Sequence, residues 1–237
     1  MKRSSKELKA MAREALLGKY TPFVAATAIF LLLCSIISLF SSLLTPRYNP
    51  TLYWIYQIVF SFILSLLTSI LTTGIFRMAL CLSRGQMPNF SMLFSGFTTQ
   101  PDHIIVSQLI LQCIMLVISI PGYYYSYQLI LYPDNITYAW LSIASSLAST
   151  MIYTLITLGF SLTLFILADT PDMGGIQALK TSWSMMRGHK GRYLYISLSF
   201  WGLAFLVCCS CFIGILFLFP YVSVTFANFY RNVRGEI

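Results

Sequence analysis

Charge is what this sequence has least of. Asp, Glu, Lys and Arg make up 9% of its 237 residues, against roughly a quarter in a soluble domain. A water-soluble fold of such composition would leave large oily patches uncovered. There is no Walker A sequence and no HExxH pair, so the chain is not by itself a P-loop ATPase and lacks the helix-borne zinc ligands of a metalloprotease. No acid or base stands in the middle of an oily run, which counts against a proton-coupled pump. Despite a net charge of +8, no separate basic domain exists to carry nucleic acid; the cations flank oily runs, where they orient helices and meet anionic headgroups. No repeat of fixed period and no low-complexity linker is visible.

Cysteine and histidine are equally uninformative as ligands. Cys34, Cys81, Cys113, Cys208, Cys209 and Cys211 lie in or at the edges of oily runs, unlike the framework of a small secreted domain. The tight Cys208-Cys209-x-Cys211 run lacks the wider spacing and second ligand pair of a zinc site and reads as small apolar filler with redox sensitivity. His103 and His189 read as interfacial residues. No metal or other cofactor is expected.

What the sequence does have is oil, 57% of it hydrophobic, in runs that approach the roughly 20 residues needed to span a bilayer. The expected fold class is all-α: a polytopic membrane helix bundle of about six transmembrane helices, in a single integral membrane domain over residues 1–237. Amphipathic interfacial helices are expected at the N-terminus and between spans four and five. Residues 1–20 carry six basic and two acidic residues before an oily run too long for a signal-peptide core, so that run is expected to remain as a span. Ser4 and Glu7 have capping-box spacing, and Leu8, Met11, Ala12, Ala15 and Leu16 recur at helical intervals opposite Lys6, Lys9, Arg13 and Lys19. This leader reads as a surface helix, or alternatively as a frayed basic leader with a purely topological role.

Spans are expected at residues 22–44, within 53–82, from near His103 to Ile120 where Pro121-Gly122 stops the helix, and within 138–168, the last long enough to be tilted or bent. Residues 45–51 read as a short loop. Residues 193–230 contain no charge and form either one long span with a tail or two compact spans turning near 210–214, with a re-entrant final segment also open. Two spans put fourteen of the fifteen Lys and Arg on one side, leaving only Arg47 opposite; one span gives twelve against three. The positive-inside rule favours the first arrangement, with both termini cytoplasmic.

The longest polar interruption, residues 169–192, is then a cytoplasmic connection. Thr170 or Asp172 can cap a helix near Pro171, whose apolar face Ile176, Leu179, Trp183 and Met186 runs on until Gly188. Lys180, Trp183, Arg187, His189, Lys190 and Arg192 are the candidate contacts for lipid headgroups or a protein partner. The alternative is a structural belt that fixes spans four and five. Asp169 and Asp172 are candidates for structural ion pairs with Arg77, Arg84 or Lys190, in preference to catalytic carboxylates. Gln108, Gln112 and Asn228, with the proline kink at Pro220, would line any transport path, although such residues also serve as interhelical glue.

Two stretches, Lys9 to Tyr20 and Ala168 to Lys190, together with Pro220-Tyr221 and Phe229-Tyr230, resemble an uncharacterised family of bacterial integral membrane proteins catalogued as domain of unknown function nine-seven-five. The resemblance covers nearly the whole chain, the middle only in hydrophobic character. It implies a bacterial cytoplasmic membrane and about six helices, and supplies no catalytic residues. The expected function is therefore a non-enzymatic membrane protein whose basic cytoplasmic surface contacts membrane lipids through anionic headgroups, or a protein partner. A permease or transporter subunit is the alternative. An intramembrane enzyme acting on lipids would require Asp169, Asp172 and His189 to converge.

Overall fold

A computed structural model describes residues 3–44, 50–210 and 214–237. Arg47, Cys211 and most of the expected loop at 45–51 lie outside the described residues, as does the middle of the expected turn at 210–214. The described chain is helical without a strand: α1 (Ser5–Leu16), α2 (Tyr20–Leu44), α3 (Pro50–Ser83), a 3-10 turn (Phe90–Phe94), α4 (Ser95–Thr98), α5 (Pro101–Leu131), α6 (Ile136–Phe160), α7 (Thr163–Asp169), α8 (Gly175–Met185), α9 (Lys190–Leu198), α10 (Trp201–Cys209) and α11 (Ile215–Arg234). Among the described residues five stretches are long and apolar enough to cross a membrane: Tyr20–Leu44, Thr51–Ser83, Pro101–Leu131, Ile136–Asp169 and Lys190–Cys209. The fold is an all-α membrane helix bundle.

The buried core is concentrated at one end of this bundle. It joins Leu8, Ala12 and Leu16 of α1, Phe23 and Ala26 of α2, Ile75, Met78 and Leu82 of α3, Leu93, residues 162–168, Ala178, Met186, and Tyr221 to Tyr230 of α11. Away from this hub, α2 and α3 expose Leu39, Phe40, Leu43, Ile55 and Val59, while α5 and α6 expose Val117, Ile120, Leu147 and Met151. Apolar side chains left bare in this way suit hydrocarbon as solvent.

Local chemistry explains how the hub forms. Ser4 Oγ accepts the Glu7 N–H at 3.3 Å and Glu7 Oε2 accepts the Ser4 N–H at 3.0 Å, completing the capping box that starts α1. The centre of α1's apolar stripe is fully buried, at 0% exposure for Leu8, Ala12 and Leu16, with Met11 and Ala15 partly buried beside it, and its neighbours are α11 and α3. Protein, rather than lipid, covers that face. Lys19 Nζ reaches the Gly85 carbonyl at 3.3 Å, so the α1–α2 junction lies beside the end of α3.

One helix departs from the sequence reading and another bends as that reading expected. Pro121-Gly122 does not end the third span: α5 continues through it to Leu131. In a bundle, a neighbouring helix can bond the backbone around a proline, and Ser149 of α6 donates to the Ile118 carbonyl at 2.8 Å in the turn before Pro121. The long fourth segment breaks at Ser161-Leu162. Ser182 of α8 fills that break, donating to the Gly159 carbonyl at 3.1 Å while its oxygen accepts the Leu162 N–H at 3.2 Å.

The final helix is the most enclosed of all. From Pro220 to Tyr230 every residue but Val222 is buried, and α1, α2 and α3 pack on it. Its beginning borders the same groove as Arg13 and Tyr20, and Phe217 lies 6.3 Å from the Tyr20 ring. The start of α11 thus sits beside the start of the first span.

Candidate functional site

The ends of several helices meet in a network of charge around Asp169. Its carboxylate closes α7 with 7% side-chain exposure. It takes Arg84 Nη1 at 2.6 Å, an ion pair from Arg234, and the Tyr230 hydroxyl at 3.2 Å. Glu236 adds a second anion, 3.1 Å from Arg84 and 3.0 Å from Arg231, while Arg231 also donates to the Ser83 carbonyl. The hydrogen bond to Asp169, more than any other contact, holds the Arg84 guanidinium even further above its ordinary pKa, so this cation remains charged. Three cations thus face two carboxylates. The arrangement ties the C-terminal segment to the ends of α3 and α7.

Neighbouring polar residues extend the same layer. Arg77 donates to the Ala168 carbonyl at 3.1 Å and to Thr99 Oγ1 at 2.9 Å, bonding neutral oxygens where an ion pair was expected. Asp172 is exposed and accepts Gln100 at 3.1 Å. His103 Nδ1 lies 3.0 Å from the Pro171 carbonyl. Asp169 and Asp172 therefore have separate partners. Among the described residues no cluster of His, Cys, Asp and Glu could hold a metal ion; Cys208 and Cys209 are free and exposed.

The connecting helix α8 shows which way its faces turn. It starts at Gly175, after Gly174, with no side-chain cap from Thr170 or Asp172. Its buried face is Gly175, Ala178, Leu179 and Ser182, followed by Met186, whereas Ile176 is exposed. Close approach explains the rotation from the apolar stripe read in the sequence. A Cβ on Gly175 would overlap the His103 carbonyl oxygen, and one on Gly159 would overlap the Trp183 ring, so small residues, rather than large apolar ones, mark the contact.

Of the six candidate contacts around this helix, Lys180 and Arg187 are exposed, and neither has a bonding partner among the described residues. Trp183 packs on Phe160, ring centroids 5.1 Å apart, and Lys190 Nζ sits 3.9 Å above the Trp183 ring. His189 is half-buried at the N-cap of α9. Arg192 is committed within the protein: it donates to Asn232 Oδ1 at 2.9 Å and to the Arg3 carbonyl, and lies 5.5 Å from the Phe229 ring.

The residues expected to line a transport path bond to different partners. Gln112 of α5 accepts Ser65 at 3.1 Å, while Asn228 of α11 is buried and donates to the Leu8 carbonyl at 3.3 Å. Pro220 is buried and Gln108 half-buried.

Sequence reasoning missed Arg234 and Tyr230 as partners of Asp169, and Glu236 as the second anion beside Arg84 and Arg231. Charge sidedness was the available signal, since it grouped Arg234 with Asp169. It also missed Arg13, which joins Tyr20 and Tyr221 at an open groove of about 530 Å³ against α10 and α11; polar tips on aromatic rings beside a cation are the pattern that marks a membrane interface.

A family model described as protein of unknown function (DUF975) matches residues 1–236. No curated protein and no solved structure matches the chain.

Proposed function

The chain belongs to the DUF975 family of proteins of unknown function, and from that premise we propose a non-enzymatic, multi-pass protein of the bacterial cytoplasmic membrane whose basic cytoplasmic face contacts anionic lipid headgroups. Both termini lie on the cytoplasmic side in this reading. The observation that carries it is the exposure of Lys180 and Arg187 without a counter-ion among the described residues, at the end of the bundle where Arg84, Arg231 and Arg234 also gather. Cations beside apolar spans attract anionic headgroups by about 1 kcal/mol each. The Asp169 network supports a structural role for the acids, because each of its oxygens already faces a cation.

The experiment is lipid partitioning around the purified full-length protein in nanodiscs of mixed phosphatidylglycerol and phosphatidylcholine. The double variant Lys180→Gln/Arg187→Gln should lower the enrichment of phosphatidylglycerol around the protein by severalfold, and high salt should mimic it. Enrichment equal to that of the unsubstituted protein would remove the headgroup reading and leave docking of a protein partner. Arg192 is a poor probe, since its contacts with Arg3 and Asn232 hold the hub together.

A further inference from the structure

We propose that the groove between the α1–α2 junction and helices α10 and α11 holds one anionic glycerophospholipid drawn from the bilayer, its phosphate on Arg13 and an acyl chain along Leu203, Leu206, Val207, Phe217 and Leu218. This rests on the membrane reading above, but on a different surface from Lys180 and Arg187. The groove, about 530 Å³ and open at its side, is lined by these apolar residues together with Arg13, Tyr20, Ser210, Gly214 and Tyr221. Its volume falls within the roughly 300–1,000 Å³ of sites that take small molecules.

The polar end is arranged for an anion. Arg13 Nε donates to the Tyr221 hydroxyl at 3.2 Å and its guanidinium carbon lies 5.7 Å from the Tyr221 ring. Tyr221 is itself 8% exposed and packed edge-on against Phe200. These contacts fix the plane of the guanidinium and leave both Nη groups without a hydrogen bond or ion pair to any described residue. Two parallel N–H donors on a planar fork match the oxygens of a phosphate. Tyr20, the first residue of the first span, lines the same groove.

The apolar end faces the same way as the surface that suits lipid. Leu203, Leu206 and Phe217 are exposed, as are Trp201 and Phe205 beside them. A free phosphate would use Arg13 alone and leave this wall bare. A lipid uses both, and its headgroup level coincides with the start of α2, where the chain passes from the charged end into the oily run.

Native mass spectrometry of the full-length protein released from nanodiscs of phosphatidylglycerol and phosphatidylcholine in equal parts tests the assignment. The unsubstituted protein should retain one phosphatidylglycerol in preference to phosphatidylcholine. Arg13→Gln should lower that preference about fivefold. Leu206→Trp fills the apolar wall from an exposed position, where it does not disturb folding, and should reduce retention of both lipids. Lys180→Gln/Arg187→Gln should keep the retained lipid, which separates this site from the basic face. Excess glycerol phosphate should not displace it. Retention unchanged in both Arg13→Gln and Leu206→Trp would overturn the proposal. So would loss in Arg13→Gln alone, which would leave no acyl chain in the groove, or displacement by glycerol phosphate, which would make the site one for a soluble phosphate.

Discussion

Replacing Gly74 by alanine should lower the apparent melting temperature of the detergent-solubilised protein more than any other single-methyl addition to α3. An alanine would ordinarily favour a helix by about 1 kcal/mol over glycine. Here the added Cβ would overlap the Leu93 carbonyl oxygen and come within 2.8 Å of the Met92 carbonyl oxygen. Both obstacles are backbone, so neither can rotate away. Leu93 is fully buried, and the 3-10 turn that carries it is held down at a second close approach, Gly96 against the Ile70 carbonyl. Relief would require the turn to lift from α3, so the expected cost is about 3 kcal/mol, the upper part of the overpacking range. Gly202→Ala is the matched control: a Cβ there meets nothing within 4 Å, and its melting temperature should be equal or higher. Fluorescence-detected size exclusion after heating reads both. A Gly74→Ala protein as stable as the parent would contradict the close packing of this turn.

The second large effect is expected at Asp169. Asp169→Ala leaves Arg84, Arg234 and the Tyr230 hydroxyl without their shared acceptor, with Glu236 as the remaining anion. Breaking a fully buried pair costs roughly 3–5 kcal/mol. Arg84 and Arg234 keep 32% and 41% side-chain exposure, so solvent recovers part of that, and about 2 kcal/mol is expected. The C-terminal segment should also loosen, seen as faster tryptic cleavage after Arg231 and Arg234. Asp172→Ala removes one hydrogen bond at an exposed site and should change stability by no more than about 0.5 kcal/mol. Equal effects of the two substitutions would mean that the Asp169 cluster does not hold the helix ends together.

The sequence exposes the parts of this fold that depend on neighbouring residues. Ser4 and Glu7 are three apart and could be paired by eye; the oily runs could be measured against a bilayer; an overlong fourth segment had to bend. What it conceals depends on contacts between distant segments. Pro121 reads as a stop because its ring removes a helix hydrogen bond and crowds the preceding turn; the contact from Ser149, on another helix, to the Ile118 carbonyl in that turn is invisible in the sequence. The buried face of α8 was hidden because apolar periodicity favours large residues, while Gly175 and Ser182 were selected for how near another backbone comes. Ile176, the largest residue at the start of the read stripe, faces outward.

The candidate site divides in the same way. Asp169 stands out as an acid at the end of an oily run, and Arg84 could be named as a partner. Arg234 and Glu236 arrive from the C-terminus, and only the sidedness of charge groups them with Asp169 in advance. Arg192 looked like a surface contact by its basic neighbours, yet Asn232 and Arg3 absorb it. The Arg13 groove requires α1, α2, α10 and α11 to be assembled before it exists at all, because Arg13 and Tyr20 lie far in the chain from the rest of its lining on α10 and α11.

The account rests most on one placement: the charged end of the bundle, with both termini, on the cytoplasmic side, and the 133–137 loop across the membrane. Paired reporter fusions test it directly, one enzyme active only in the cytoplasm and one active only outside, each joined after Ile237 or inserted in the 133–137 loop. The cytoplasmic reporter should be active at Ile237 and silent in the loop, and the external reporter should give the reverse. An active external reporter at Ile237 would contradict the account, since it would put Arg231, Arg234 and Glu236 on the opposite side from the Lys180 and Arg187 face proposed to meet anionic headgroups.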